Sequence, residues 1–427
     1  MGTSPPGDST SPLSPIWGKS DRPPFPLPTT PAQSGLEKWK WISNLQSVLD
    51  RNLAPLLRRR LARFPAVTLV GPRQCGKTTL ARTLATRYFN LEATEDRTRL
   101  DAQWGEVMAA DGPVVFDEAQ LWPELFARLR GEIDEHRRLN GRFILLGSIA
   151  PALMRNVGES LAGRMAVLEL SPFVLGEVDD LDRLWRCGGF PDGGILNDDD
   201  AYPVWQENYV RAMTERDLPT WGLPAKPQAT QRLLRMAAAE QGAILNLSKL
   251  GQSLGLSHHT VDTYLDHLEG AFLVRRLRPF HANLRKRLVK APRLYWRDSG
   301  ILHALLRFSP KDDLLAQPWV GASWEGFVIE QILAAHANRG HSVEACYFRT
   351  HDGYEVDLVL ESGRRREIIE VKLTSSPAPE DLARLGKIAA MIDATHSTLI
   401  CRIRKSIFTA DRVVANLPDY LATIREE

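Results

Sequence analysis

The segment GPRQCGKT, Gly71 to Thr78, is the feature that most constrains what this chain folds into. It matches the pattern GxxxxGK[ST], follows the apolar run AVTLV and opens the helical run TTLARTLAT. In that setting the two glycines let the backbone curl, so that its N–H groups point at phosphate oxygens near a helix N-terminus. The segment therefore predicts a phosphate-binding loop after the first strand of a parallel α/β sheet.

The loop and one later strand supply the residues that nucleotide chemistry needs. We expect Lys77 to reach the β and γ phosphates of ATP and the Thr78 hydroxyl to bind Mg²⁺. The run PVVFDE ends in Asp117, which is placed to hold Mg²⁺ through water, and in Glu118, which is placed to polarise the attacking water. The predicted ATP-binding residues are Gly71, Pro72, Arg73, Gln74, Cys75, Gly76, Lys77, Thr78 and Thr79.

Two more polar residues are candidates for catalysis. Ser148 ends the apolar run FILLGS, where it either senses the γ-phosphate and positions water or only caps the strand. Arg164, in ESLAGRMAVLEL, either neutralises charge on the phosphates, in cis or across a subunit interface, or is a solvated loop arginine. Arg73 and Arg216 are weaker candidates for the same role.

Composition bounds the class of protein. A chain of 427 residues suggests roughly three domains, and a hydrophobic fraction of 43% matches ordinary globular protein. The longest apolar stretch, FILLGSIAPALM, is shorter than the roughly 20 residues of a membrane span. The four cysteines are scattered without metal-ligand spacing, and the N-terminus lacks a signal-peptide pattern. We therefore expect a cytoplasmic protein without a membrane contact, and a homo-oligomer is compatible with the sequence.

The character of the sequence changes several times along the chain. Nine prolines crowd the first 35 residues, strands alternate with helices from about 67 to 172, and helical patterns then dominate. The predicted divisions are a disordered Pro/Ser-rich tail at 1–36, a P-loop ATPase core at 37–178, a helical lid at 179–243, a helix-turn-helix or winged-helix-like module at 244–297, and a mixed α/β C-terminal domain at 298–427.

The segment LSKLGQSLGLSHHTVDTYLDHLE has a helix-turn-helix pattern. Ser257 is placed to cap the second helix, whose apolar residues Val261, Leu265 and Leu268 face inward. Residues 275–293 follow with eight Lys or Arg and no acid, a run able to neutralise several phosphates. Residues 258–293 are therefore predicted to bind DNA, with a purely structural connector as the alternative.

The runs EVDLVL and EIIEVKL flank a turn-like segment near the C-terminus. If Gly363 and Arg364 form the turn, antiparallel pairing places Asp357 opposite Glu370. Like charges that face each other on a sheet are destabilising. The Asp357–Glu370 pair therefore predicts a cation nearby. Together with Lys372, the two acids have the layout of a Mg²⁺-dependent phosphodiesterase. A neutralised surface without a metal is the alternative.

The motifs GPRQCGKTTL, FDEAQ, LLGS, LAGR and GGFP occur in this order, followed by LYWRDSGILHALL, WEGFVIEQIL and EVDLVL. In this combination the chain resembles prokaryotic AAA-superfamily P-loop ATPases that carry a C-terminal domain of unknown function. The resemblance implies Mg²⁺-dependent ATP binding and hydrolysis at Lys77, Thr78, Asp117 and Glu118.

The C-terminal acids resemble the core of the PD-(D/E)XK nucleases. The resemblance implies a restriction-endonuclease-like fold with Asp357 as first acid, Glu370 and Lys372 as the ExK, and Glu325 or Glu330 as an outer acid. Three functions stay open at this point: an ATPase acting on DNA, an ATP-dependent switch or scaffold that binds protein partners with an inactive C-terminal fold, and an ATP-regulated metal-dependent nuclease.

Overall fold

The computed structural model describes residues 1–2, 50–149, 161–196, 201–280, 289–308, 313–410 and 412–424. Apart from Met1 and Gly2, the predicted tail at 1–36 lies outside these residues. The same holds for Arg285, Lys286 and Arg287 of the predicted basic run.

The first sheet has five parallel strands in the order β2-β3-β4-β1-β5. The three central strands are buried along their whole length, as expected for a parallel sheet covered on both faces. This confirms the predicted parallel α/β core. The strands are β1 (Ala66–Val70), β2 (Arg87–Asn90), β3 (Val114–Asp117), β4 (Phe143–Gly147) and β5 (Met165–Glu169).

Apolar side chains cover the two faces of this sheet as two separate clusters. On one face Leu57, from the first described helix, packs with Val67 and Leu146. On the other face Phe126 and Leu129 pack with Phe116. The helices of this region are α1 (Ala54–Leu61), α2 (Lys77–Arg82), α3 (Thr94–Ala102), α4 (Trp104–Met108) and α5 (Glu124–Glu135).

Helices dominate the next region, as the sequence predicts. Its core includes Leu233, Leu234 and Leu265, all buried. The α-helices are α6 (Leu181–Cys187), α7 (Val204–Ala212), α8 (Leu218–Thr220), α9 (Pro227–Ala239), α10 (Leu247–Leu254) and α11 (His258–Gly270), with π-helical turns at Pro191–Ile195 and Met213–Asp217.

Helices α10 and α11, joined by a short turn, lie where the sequence predicts a helix-turn-helix pattern. The Ser257 side chain accepts a hydrogen bond from the backbone N–H of Thr260 and so caps α11. Val261, Leu265 and Leu268 are fully buried, which follows the predicted inward face. The hydrophobic spacing therefore fixes which side of α11 meets the core.

The second sheet has eight strands in the order β12-β13-β11-β10-β9-β8-β6-β7. The hairpin β6–β7 follows the helix-turn-helix, but β6 also pairs with β8. The predicted border at 297/298 therefore falls within one continuous sheet. The strands are β6 (Val274–Pro279), β7 (Arg293–Trp296), β8 (Glu344–Arg349), β9 (Glu355–Ser362), β10 (Arg365–Val371), β11 (His396–Ile400), β12 (Ile407–Phe408) and β13 (Arg412–Ala415).

Strands β9 and β10 form the predicted hairpin around Gly363 and Arg364. Ser362 pairs with Arg365 and Leu358 pairs with Ile369, which is the predicted register. A long helix, whose Trp324 and Val328 are buried, shares a core with this sheet. The remaining helices are α12 (Ser299–Leu305), α13 (Val320–Arg339), α14 (Pro379–Met391) and α15 (Leu417–Thr423). Among the helices of the described residues, none combines the length and apolar character needed to cross a membrane.

Candidate functional site

The loop between β1 and α2 curves in the way that its glycines allow. Gly71 has φ 148°, and a Cβ atom there would lie 2.2 Å from the carbonyl oxygen of Leu170. Gly76 has φ 98°, in the left-handed region that favours glycine. Both glycines of the motif are therefore required by the backbone path.

Lys77 is the first residue of α2 and is buried. Its ammonium donates hydrogen bonds to the carbonyl oxygens of Gly71, at 2.9 Å, and Pro72, at 2.8 Å. These bonds hold the positive charge against the inner side of the loop, beside the helix N-terminus that attracts anions.

Thr78 and Asp117 lie together, as the sequence predicts. The Thr78 hydroxyl donates to Asp117 Oδ2 at 2.7 Å, and the Tyr88 hydroxyl donates to the same oxygen at 2.7 Å. Burial, together with the Asp117 carboxylate, raises the pKa of Tyr88 to about 12, so the phenol stays a donor. A hydroxyl and a carboxylate beside a P-loop are the hard oxygen ligands that Mg²⁺ prefers, so these residues fit a Mg²⁺–ATP site.

Glu118 follows Asp117 with a left-handed backbone, φ 51° and ψ 44°. This is an uncommon conformation for a residue other than glycine, and such strain concentrates at functional sites. The buried Ser148 hydroxyl donates to Glu118 Oε1 at 2.9 Å, and the Gln120 amide donates to its other carboxylate oxygen. The structure therefore brings Ser148 and Glu118 together next to the loop.

Arg73, within the loop, links the nucleotide site to the helical region. Its guanidinium lies 2.5 Å from Asp217 Oδ1, 3.8 Å from Glu92 and 4.0 Å from Glu118 Oε1. Asp217 is buried and also accepts from Arg216 Nε at 2.9 Å. The helical region therefore contacts the P-loop through an ion pair beside the predicted catalytic acid.

Arg51 holds the P-loop through hydrogen bonds to backbone carbonyl oxygens. The sequence analysis did not predict this role. Its guanidinium donates to the carbonyl oxygen of Cys75 at 2.8 Å and of Ser171 at 2.7 Å. It also pairs with Glu177 at 3.1 Å, and both side chains are almost fully buried. An arginine before a helix carries no local signal of this role, because its partners lie 24, 120 and 126 residues away.

Arg164 is not brought to this site. Its guanidinium donates to both carboxylate oxygens of Asp134, at 2.9 and 3.0 Å, which holds the pKa of that carboxyl below its usual range. Arg164 precedes β5 at the end where Met165 pairs with Ala66, whereas the loop leaves β1 at its other end. A five-residue strand spans roughly 15 Å, so this position does not support a role in cis. The role across a subunit interface stays a prediction.

A second cluster of charges lies at the C-terminal hairpin. The buried Arg293 guanidinium, on β7, is 3.1 Å from Glu325 Oε1 and 3.2 Å from Asp357 Oδ1, and it also contacts Glu355. The Tyr295 hydroxyl donates to Glu325 as well. Burial raises the pKa of Glu325, and the nearby Asp357 carboxylate adds to the rise. The predicted acids do lie together, but around an arginine that the sequence analysis did not single out for this cluster.

The predicted ExK residues stand beside this cluster. Lys372 Nζ is 2.7 Å from Glu370 Oε1, and the backbone N–H of Val371 donates to Asp357 Oδ2 at 3.0 Å. Burial raises the pKa of Glu370 to about 7, with a further contribution from Asp357. The Glu355 carboxylate contacts Arg293 and Arg349.

Glu330, the alternative outer acid, faces another set of partners. It pairs with Arg275 and, at 3.1 Å, with Arg297. Within the part of the chain that the structure describes, no group of three or more His, Cys, Asp or Glu side chains is arranged to hold a metal ion. This finding does not support the predicted metal layout of the C-terminal acids.

Three of the five described basic residues in the run at 275–293 are engaged in ion pairs. Arg275 contacts Glu330, Arg293 lies in the acidic cluster, and Arg276 binds acids of α11. Of the described basic residues in this run, Arg278 and Lys290 are exposed. The acids bound by Arg276 are Asp262, Asp266 and Glu269. The described part of the predicted DNA face thus carries less free positive charge than its sequence suggests, and more acid.

Three family models match parts of this chain. Residues 63–178 match an AAA domain, residues 178–312 a domain of unknown function (DUF8612), and residues 320–420 another domain of unknown function (DUF4143). The uncharacterized proteins Rv2008c of Mycobacterium tuberculosis and Mb2031c of Mycobacterium bovis are each 37% identical over 334 residues, covering 77% of this chain and 75% of each relative. A solved structure, the Walker-type ATPase PABY2304 of Pyrococcus abyssi, is 14% identical with a TM-score of 0.41, covering 60% of this chain and 95% of that one.

Proposed function

This chain belongs to the family of the two uncharacterized mycobacterial proteins and carries an AAA-type P-loop ATPase domain, and we propose that it hydrolyses ATP there to drive a conformational switch. The observation that carries the proposal is the position of Glu118, held by Ser148 beside the Thr78–Asp117 pair. A carboxylate at that point is placed to take a proton from water next to the terminal phosphate.

Some residues of the site would stabilise negative charge on the phosphates, and others would orient the reacting groups. Mg²⁺, when bound, neutralises charge on the β and γ phosphates. Thr78 and Asp117 are the residues that would hold it, and Tyr88 keeps Asp117 oriented by its hydrogen bond. Lys77 stabilises the negative charge that develops on the phosphates. Glu118 orients the attacking water, and Ser148 fixes the Glu118 carboxylate.

Arg73 supplies the coupling between the nucleotide and the helical region. Its guanidinium holds Asp217 while lying 4.0 Å from Glu118 Oε1. A γ-phosphate near Lys77 adds a strong competing anion within reach of the same guanidinium. Binding of ATP is therefore expected to weaken the Arg73–Asp217 pair, and hydrolysis to restore it. This exchange moves the helical region with the nucleotide state.

We expect Asp217→Asn to tighten ATP binding roughly tenfold, because Arg73 no longer has to leave a buried carboxylate. Hydrogen exchange of residues 204–239 should depend on ATP in the wild type and lose that dependence in the variant. Titration with a fluorescent ATP analogue gives the affinity. Glu92→Gln is the matched control, since this exposed carboxylate lies 3.8 Å from the same guanidinium. Equal behaviour of the two variants would rule out the coupling.

Action on DNA is the second proposal, and the exposed second helix of the helix-turn-helix pair favours it. His258, His259 and Thr263 lie on its exposed face. We expect duplex binding that weakens with salt, and Arg278→Glu with Lys290→Glu should lower the slope of log affinity against log salt by about 2. Fluorescence anisotropy at two salt concentrations measures both quantities. An absence of binding at low salt would favour the alternative of a switch or scaffold for protein partners.

A further inference from the structure

We propose that the acidic cluster of the C-terminal sheet, Glu325, Glu355 and Asp357 with Glu370 beside it, is a socket for the Arg293 guanidinium and not a Mg²⁺ site. The proposal concerns the metal that the nuclease resemblance implies. It does not depend on ATP hydrolysis at the P-loop.

The guanidinium occupies the position that a bridging cation would need. Arg293 Nη1 lies 3.1 Å from Glu325 Oε1 and 3.2 Å from Asp357 Oδ1, and Nη2 contacts Glu355. The Arg293 side chain is only 7% exposed. The planar guanidinium has several N–H donors that point in different directions, so it can bind several carboxylates at once. The compact ammonium of a lysine is less suited to this.

Two further groups around the acids are hydrogen-bond donors, which do not ligate a metal ion. The Tyr295 hydroxyl donates to Glu325, and the backbone N–H of Val371 donates to Asp357 Oδ2 at 3.0 Å. Mg²⁺ requires carboxylate oxygens at about 2.1 Å in octahedral geometry. A second positive charge within the same few ångströms as Arg293 would also be repelled strongly in a buried site.

Two further cations of this chain pair with acids of the cluster. Lys372 pairs with Glu370 at 2.7 Å, and Arg349 pairs with Glu355 at 3.1 Å. Each acid thus has a cation or a polar hydrogen of this chain as its partner. Partners within the chain thus reach all four acids, although Glu370 Oε2 is buried without a hydrogen-bond partner.

The socket joins two parts of the fold. Arg293 lies on β7, whose hairpin with β6 follows the helix-turn-helix pair, while the acids lie on α13 and β9. Removal of the guanidinium leaves buried carboxylates without their cation, which is costly. Arg293 therefore fixes the orientation of the hairpin against α13 and β9.

The experiment combines metal titration with chemical rescue. Mn²⁺ titrated into nucleotide-free wild-type protein and Asp357→Asn, followed by electron paramagnetic resonance, is expected to show the same bound metal in both. Arg293→Ala is expected to lower Tm on the order of 10 °C. Guanidinium chloride at millimolar concentration should restore much of this loss, whereas NaCl at the same concentration should not.

Three results would overturn the socket. The first is Mn²⁺ binding that disappears in Asp357→Asn, and the second is Mn²⁺-dependent DNA cleavage by the wild type that Asp357→Asn abolishes. The third is an Arg293→Ala protein with an unchanged Tm. Should Arg293→Ala not fold, Arg293→Lys keeps the charge without the fork, and a wild-type Tm for that variant would equally contradict the proposal.

Discussion

We expect Glu118→Gln to lower kcat for ATP hydrolysis by about 10²- to 10⁴-fold while ATP affinity changes less than about threefold. The amide keeps the shape of the side chain and its hydrogen bond from Ser148, which lies 2.9 Å from Glu118 Oε1. It removes the carboxylate that accepts a proton from water. Binding depends on Lys77, Thr78 and the loop backbone, none of which this change touches. Steady-state phosphate release and nucleotide titration measure the two quantities.

Two matched variants separate this role from a structural one. Lys77→Ala should abolish ATP binding itself, because it removes the only ammonium of the P-loop motif. Ser148→Ala should lower kcat by roughly tenfold, since Glu118 keeps its charge and loses one orienting hydrogen bond. A Glu118→Gln protein that turns over ATP within threefold of the wild type would remove Glu118 from the chemistry.

The parts of the fold that the sequence predicted correctly depend on local signals. Gly71 and Gly76 mark a backbone path that only glycine fits, and the turn at Gly363 fixed the register of β9 and β10 by alternation alone. The spacing of Val261 and Leu265 fixed the buried face of α11. In each case the residues that determine the structure lie within one loop, hairpin or helix.

The parts that the sequence did not predict depend on distant partners. Strand β2 has only four residues, RYFN, at the edge of its sheet, so its apolar signal is weak. It nevertheless supplies Tyr88, which binds Asp117. Arg73 and Asp217 are 144 residues apart, and Arg293 and Asp357 are 64 apart. The local sequence around an arginine does not indicate whether its guanidinium will pair with a buried acid.

The same distinction bears on the DNA prediction, which stays a prediction. A count of charges in residues 275–293 treats each arginine as free, whereas Arg276 binds three acids on α11 and Arg293 lies in the socket. Positive charge that is neutralised within the fold releases no counterions from DNA. Charge density in a sequence therefore predicts a nucleic-acid face only after the internal pairs are subtracted.

Arg51→Met is expected to lower the free energy of unfolding by about 3–5 kcal/mol. Methionine fills much of the space but leaves the Glu177 carboxylate, 3.1 Å from the guanidinium, without its cation. It also leaves the carbonyl oxygens of Cys75 and Ser171 without this donor. Because Cys75 belongs to the loop, ATP affinity should fall as well. Urea denaturation with and without ATP measures both effects.

Two comparisons decide whether the buried charge is the cause. In the double variant Arg51→Met with Glu177→Gln, part of the lost stability should return, because the unpaired buried carboxylate is gone. Arg58→Met changes an exposed arginine of α1 in the same way and should stay within about 0.5 kcal/mol of the wild type. If Arg51→Met were as mild as Arg58→Met, the P-loop would not need this support, and its curvature would be fixed by Gly71, Gly76 and the helix α2 alone.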